Sequence, residues 1–100
     1  MRSFKVSRAA DADLRKIAKH TLQQWGKAQR DAYLTELFDA FERLAGAPQI
    51  ASSADSIREG YRKFPQGSHV IFFRTTDKHG NEIIRVLHKR MDTGAHLDPR

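Results

Sequence analysis

The period of the apolar residues changes once along this chain, and that change limits the folds open to it. From residue 8 to residue 46 the apolar side chains recur every three or four positions. From residue 57 onward they recur every two. The first spacing aligns side chains along one side of a helix, and the second alternates them across a strand. Leu14, Ile17, Ala18, Leu22 (or Thr21) and Trp25 form one helical stripe; Tyr33, Leu34, Leu37, Phe38, Phe41, Leu44 and Ala45 form another. Gly26 separates the two, so the helices are expected to fold back as an antiparallel hairpin. Ser7 is placed to cap the first helix, with Asp11 and Asp13 in or near its positive first turn. Gly46 and Pro48 form the stop signal of the second.

Upstream, Phe4 and Val6 alternate with Lys5 and Ser7 as a short strand. Downstream, Ala47–Ser56 reads as a loop, and Ile57–Phe64, His69–Thr76 and Glu82–Arg90 read as three strands. The turns between them are Pro65-Gln66-Gly67-Ser68 and Asp77-Lys78-His79-Gly80-Asn81, short enough for an antiparallel meander. The expected fold is α+β: an N-terminal strand, a helical hairpin, then the three-stranded meander, β-α-α-β-β-β. One domain over residues 1–92 is expected, followed by a loose tail over 93–100.

The sheet carries more apolar surface than one covered face needs. Strict alternation puts Ile71 and Phe73 opposite Val70 and Phe72, and Ile83 and Leu87 opposite Ile84 and Val86. An antiparallel sheet with one wet face should instead alternate apolar with polar. The second face would hold an apolar band rimmed by Arg58, Arg62, Arg74 and Arg85. Either the chain's own loops cover that band, or another chain does.

Charge and composition narrow the partners. The net charge is +6, with nine Lys/Arg and six Asp/Glu in each half, so the excess belongs to the folded surface and favours acidic partners. The absence of cysteine removes disulfides and thiolate metal sites and fits a reducing cytoplasm. The start of the sequence has no apolar leader, and no run reaches membrane-spanning length. His20, His69, His79, His88 and His96 share no metal-ligand spacing, so neither a metal nor a cofactor is expected. No serine sits in a nucleophile motif. Tyr61, Arg62, Lys63, His69, Arg74, Arg85, His88 and Arg90 are the residue types that acid–base cleavage of RNA requires, although a solvated basic face would look the same. The densest stretch is Arg85-Val86-Leu87-His88-Lys89-Arg90-Met91-Asp92, where a His and an Arg two residues apart could bind an anion or pair with a carboxylate.

Several fragments, taken in order, resemble the ParE branch of the RelE/ParE toxin superfamily. They are Phe4-Lys5-Val6-Ser7 with Ala10–Ile17, then Gln24-Trp25-Gly26-Lys27-Ala28-Gln29, Ile57-Arg58-Glu59-Gly60-Tyr61-Arg62, His69–Arg74 and Arg85–Asp92. The resemblance implies a toxin of a type II toxin–antitoxin module, neutralised by a ParD-like ribbon-helix-helix antitoxin whose C-terminal segment wraps the helices and sheet. It implies inhibition of DNA gyrase rather than enzymatic activity, and operator DNA bound only through the antitoxin. Carried onto this chain, toxicity falls to Arg85, His88, Arg90, Met91 and Asp92. Antitoxin contacts fall to Leu14, Ile17, Leu34, Leu37, Phe38, Phe41, Arg58, Tyr61, Arg62, Val70, Phe72 and Arg74. The alternative within the superfamily is a RelE-like endoribonuclease that cuts messenger RNA on the ribosome. Such members use an aromatic or His near the end of the last strand, where this chain has Lys89-Arg90-Met91-Asp92. His88 keeps the alternative open.

Overall fold

A computed structural model describes residues 4–76 and 80–91. The elements run β1 (Phe4–Val6), α1 (Arg8–Trp25), α2 (Lys27–Gly46), a 3-10 turn (Pro48–Ile50), β2 (Ser52–Ser53), β3 (Tyr61–Gln66), β4 (His69–Thr76) and β5 (Gly80–His88). The sheet order is β1-β5-β4-β3-β2, with β1 parallel to β5 and the other pairs antiparallel. The expected α+β hairpin-and-meander is present, with the N-terminal strand returning to pair beside the last one. The tail and Asp77–His79 of the second predicted turn lie outside the described residues. Among the described residues, no helix is long and apolar enough to cross a membrane.

Ser7 joins sheet to helix. Its N–H donates to the Ile83 carbonyl at 3.0 Å, continuing the β1–β5 pairing. Its hydroxyl accepts from the Ala10 N–H at 3.0 Å and donates to the Ile84 carbonyl at 2.8 Å. Gly26 is the whole joint between the helices: at φ 88° it reaches a backbone region that side chains rarely adopt. Leu37, Ala40, Phe41 and Leu44 of α2 meet Ala10, Leu14 and Ile17 of α1 over Ile71, Phe73, Ile83 and Val86 of the sheet. On α1 the choice left open by the sequence resolves to Thr21, which is buried, while Leu22 is exposed.

Three sequence expectations change. The first concerns parity in β5. Phe72 pairs with Arg85 but Phe73 pairs with Ile83, so Ile84 is an extra residue. A bulge of this kind shifts every later side chain to the other face. Ile83 therefore joins Val86 on the helix side, and Ile84 joins Leu87 on the other. Strict alternation had grouped them the opposite way.

The second concerns the strand expected from Ile57. That segment is a compact turn, with Ile57 and Arg58 N–H groups donating to the Ala54 carbonyl and the Gly60 N–H to Asp55 Oδ1 at 2.8 Å. Its product is a second cluster in which Ala54, Phe72 and Leu87 are buried, with Ile57, Tyr61, Val70 and Ile84 packed around them. The chain's own loop thus covers much of the band that strand alternation left bare. β3 begins later and runs through Pro65 and Gln66, so the first turn shrinks to Gly67-Ser68.

The third is Asn81, expected in a turn. It is buried and pairs with Phe4 at the start of β5. Its Nδ2 donates to the Leu44 carbonyl at 2.8 Å, and its Oδ1 accepts from the Thr75 hydroxyl at 3.0 Å. One of the last α2 carbonyls, which has no partner within its helix, is satisfied this way.

Beyond Ile83, β1 has already turned into α1, and β5 would present a bare edge there. Asp13 fills the place. Its Oδ2 accepts from the Val86 N–H at 2.9 Å and from Arg85 Nε at 2.8 Å, and its Oδ1 from Arg85 Nη2 at 2.8 Å. The carboxylate is buried, so removing it leaves a guanidinium and a strand N–H short of an acceptor. Asp13→Ala should cost about 3 kcal/mol of stability, the scale of breaking a buried charged pair. Urea unfolding of the wild type, both single variants and Asp13→Ala/Arg85→Met would measure it. A double variant more stable than Asp13→Ala shows that the guanidinium deprived of Asp13 carries part of the cost.

Candidate functional site

A groove of about 520 Å³ opens where α1, the first turns of α2 and the adjoining ends of β4 and β5 meet. Its α1 wall is a single stripe, Asp13, Lys16, Ile17, His20 and Thr21, at the spacing that aligns helix positions. Trp25, the most exposed large apolar side chain among the described residues at 73%, stands at the end of that wall. Across it lie Tyr33 from α2, Ser68 from the β3–β4 turn, His69 from the start of β4, and Val86, His88 and Met91 from β5 and the turn after it.

Pairing register brings the histidines together. His69 is the direct partner of His88, and their ring centroids are 5.5 Å apart at a steep angle. Tyr33 packs against His69 at the same centroid distance, its hydroxyl 2.6 Å from His69 Nδ1. That hydroxyl also accepts from the Ser68 N–H at 3.1 Å and lies 3.3 Å from the Gln66 carbonyl. The hydroxyl has a single proton, for which His69 Nδ1 and the Gln66 carbonyl are the two acceptors. The Arg90 N–H donates to His88 Nδ1 at 3.2 Å, so the neutral His88 carries its own proton on Nε2. The His88 imidazole therefore presents an N–H rather than a lone pair, and no group of three or more metal-binding side chains occurs among the described residues. Gly67 makes room for this corner. Its φ is 60°, and a Cβ there would stand 2.6 Å from the Tyr33 ring.

Burial, then the neighbouring imidazoles of His88 and His20, pull His69 down to about 4 from its usual 6.5, against a small opposing pull from Asp13. Burial likewise raises the Tyr33 hydroxyl. The hydrogen bond to Asp13 raises Arg85 further, so its charge is permanent.

The residues expected to carry toxicity separate into two groups. Arg85 is drawn away to Asp13, with only a fifth of its side chain exposed. His88 lines the groove, and Arg90 and Met91 stand exposed just past β5, where the Met91 N–H donates to the His88 carbonyl at 3.0 Å. Asp92 lies outside the described residues.

Those expected to meet the antitoxin also divide. Leu14, Ile17, Leu37 and Phe41 belong to the main core and Phe72 to the second cluster, so they offer a partner almost no surface. Leu34, Tyr61 and Val70 are half-buried, and Phe38 is exposed with its ring edge on Phe41. Of the expected basic rim, Arg62 reaches the Ala51 carbonyl, Arg74 pairs with Glu82 at 2.8 Å, and Arg58 lies over the Tyr61 ring. Sequence reasoning missed Lys16, Thr21, Tyr33 and Ser68 as groove residues. The available signal was a set of polar residues running inside the apolar stripe of α1.

The low value for His69 makes stability pH-dependent. The unfolded chain takes up this proton near pH 6.5, whereas the fold resists it until about 4. The unfolded state thus binds more protons in that window, and stability falls as pH falls through it. Thermal midpoints should be level above pH 6.5 and drop toward pH 4, with a shallower drop in His69→Gln. An equal drop in both proteins would place the effect elsewhere.

The family profile "ParE toxin of type II toxin-antitoxin system, parDE" matches residues 4–93. Toxin ParE1 of Mycobacterium tuberculosis is 43% identical over 94 residues, spanning 94% of this chain and 96% of its own. Toxin ParE1 of Caulobacter vibrioides is 40% identical over 97 residues, 97% of this chain and 99% of its own. Among solved structures, a chain of the chromosomal ParDE toxin–antitoxin system of P. aeruginosa matches 88% of this chain and 96% of its own, with a TM-score of 0.73 at 22% identity. A chain of the RelBE2 toxin–antitoxin complex of Mycobacterium tuberculosis matches 88% and 98%, with a TM-score of 0.58 at 24% identity. The structural matches establish the fold, and with the profile and sequence matches the chain belongs to the ParE family of type II toxins.

Proposed function

We propose that this ParE-type toxin arrests growth by binding DNA gyrase, without catalysis of its own, and is neutralised in the cytoplasm by a ParD-like ribbon-helix-helix antitoxin that also carries the complex to operator DNA. The family match over residues 4–93 carries this reading. The site chemistry supports the non-catalytic part. Past β5 the chain reads Lys89-Arg90-Met91, and a methionine transfers no proton. Tyr33 is tied to His69 and the β3–β4 turn, and Tyr61 packs in the second cluster under Arg58. Arg85, on the same strand as His88, is committed to Asp13.

On this reading His88, Arg90, Met91 and Asp92 meet the target, while Leu34, Phe38, Arg58, Tyr61, Val70 and Arg74 supply antitoxin contacts. Purified, folded chain should inhibit gyrase supercoiling or trap cleaved DNA with no ribosome present, and the antitoxin encoded beside its gene should reverse this. Codon-linked cuts in translated messages after induction, with gyrase untouched, would establish the RelE-like alternative instead. Removing residues 91–100 should reduce growth arrest far more than antitoxin binding. Equal loss of both would mean that the segment mainly supports the domain.

A further inference from the structure

The groove combines a cation and N–H donors with a carboxylate that is already engaged. Asp13 is the carboxylate in its lining, and both of its oxygens are occupied by Arg85 and the Val86 N–H. Against it stand the Lys16 ammonium, the His88 Nε2–H fixed by the hydrogen bond on its Nδ1, and the imidazoles of His69 and His20. Lys16 makes no ion pair among the described residues. The floor between these donors is apolar, formed by Ile17 and Val86, with Trp25 and Met91 as exposed sides. A cleft that offers a cation and neutral N–H donors over an apolar floor is complementary to a carboxylate next to an apolar side chain. A bare phosphate chain would satisfy the donors and leave Trp25 and Met91 uncovered.

We infer that this groove is a docking subsite for an acidic, apolar peptide segment of a partner protein, whose carboxylate is held between Lys16 and the His88–His69 pair while a neighbouring aliphatic or aromatic side chain packs against Trp25. It deepens the antitoxin reading and rests on it for the partner's identity, but the chemistry of the subsite stands by itself. The acidic segment complements the chain's +6 charge, and an apolar residue beside it covers the large exposed side chain at the groove mouth. The role given to Lys16 is to receive the carboxylate, and that of His88 and His69 is to orient it.

The test uses the full chain and a minimal probe. N-acetyl-L-leucine and its uncharged amide, N-acetyl-L-leucinamide, are titrated at millimolar concentrations. Trp25 fluorescence and the imidazole Nε2 resonances of His69 and His88 are followed. The acid should shift both signals, and the amide should bind about tenfold more weakly or not at all. Lys16→Gln should weaken the acid about tenfold and leave the amide unchanged. Equal binding of acid and amide, or no response of the imidazoles to either, overturns the subsite. Stronger response to inorganic phosphate or a short oligoribonucleotide, with the same dependence on Lys16, overturns it in favour of a phosphate ligand. A second arm measures binding of the antitoxin encoded beside the gene to wild type and Lys16→Glu. Equal affinity leaves the pairing intact and removes the subsite. Failure to bind the wild type removes the pairing, and the probe titration still decides the subsite.

Discussion

Everything on the helix side of this molecule depends on one carboxylate standing in for a missing strand. β1 covers β5 only as far as Ile83, because the chain must leave the sheet at Ser7 to start α1. From there to His88 the edge of β5 would be unpaired, and α1 passes beside it. Asp13 closes the gap by accepting from the Val86 N–H and from Nε and Nη2 of Arg85. A surface ion pair would contribute little, but this one replaces backbone hydrogen bonding at a buried edge, where an unmet donor is costly. It also fixes the rotation of α1, which decides that Lys16, Ile17, His20 and Thr21 face the groove.

The same two devices explain where the sequence was legible and where it was not. Helix positions follow a period that nothing interrupts, so Ser7, Gly26 and Gly46 mark their ends and the hairpin could be read directly. Strand parity depends on counting, and a single added residue at Ile84 reverses the count for Val86 and Leu87. No local composition announces that bulge, since Ile84 is as good a strand residue as its neighbours. The Ile57–Gly60 turn was hidden for a related reason. Ile57 leads in sequence directly toward the strand residues Tyr61 and Phe64, yet Asp55 and Ala54 capture the N–H groups of the segment before it can pair.

The candidate site was legible in part. His88, Arg90 and Met91 could be singled out because they crowd at the end of the last strand. Arg85 looked like their companion, but its partner is 72 residues away in sequence and invisible to local reading. Asp13 and Asn81 show the same limit. Each has the composition of a cap or a turn, and each is spent on a contact between distant elements. His69 and His88 become neighbours only through the β4–β5 register, and Tyr33 reaches them only because Gly67 lacks a side chain.

Closing the second sheet face has a consequence for how a partner could be held. The apolar band there, which in sequence looked like the natural seat for another chain, is largely consumed by Ala54, Phe72 and Leu87. Large apolar side chains that remain exposed include Leu22 and Trp25 on α1, Phe38 on α2 and Met91 after β5. Trp25 and Met91 flank the groove, and Leu22 is three residues before Trp25 on the same helix. On the proposed reading, a neutralising segment would gain most by following the helices into the groove. His88 and Met91 line it, so occupation of the groove and access to the end of β5 would compete. Neutralisation would then need no change of fold in the toxin: a segment seated by Lys16 and Trp25 would block the β5 end by its bulk alone.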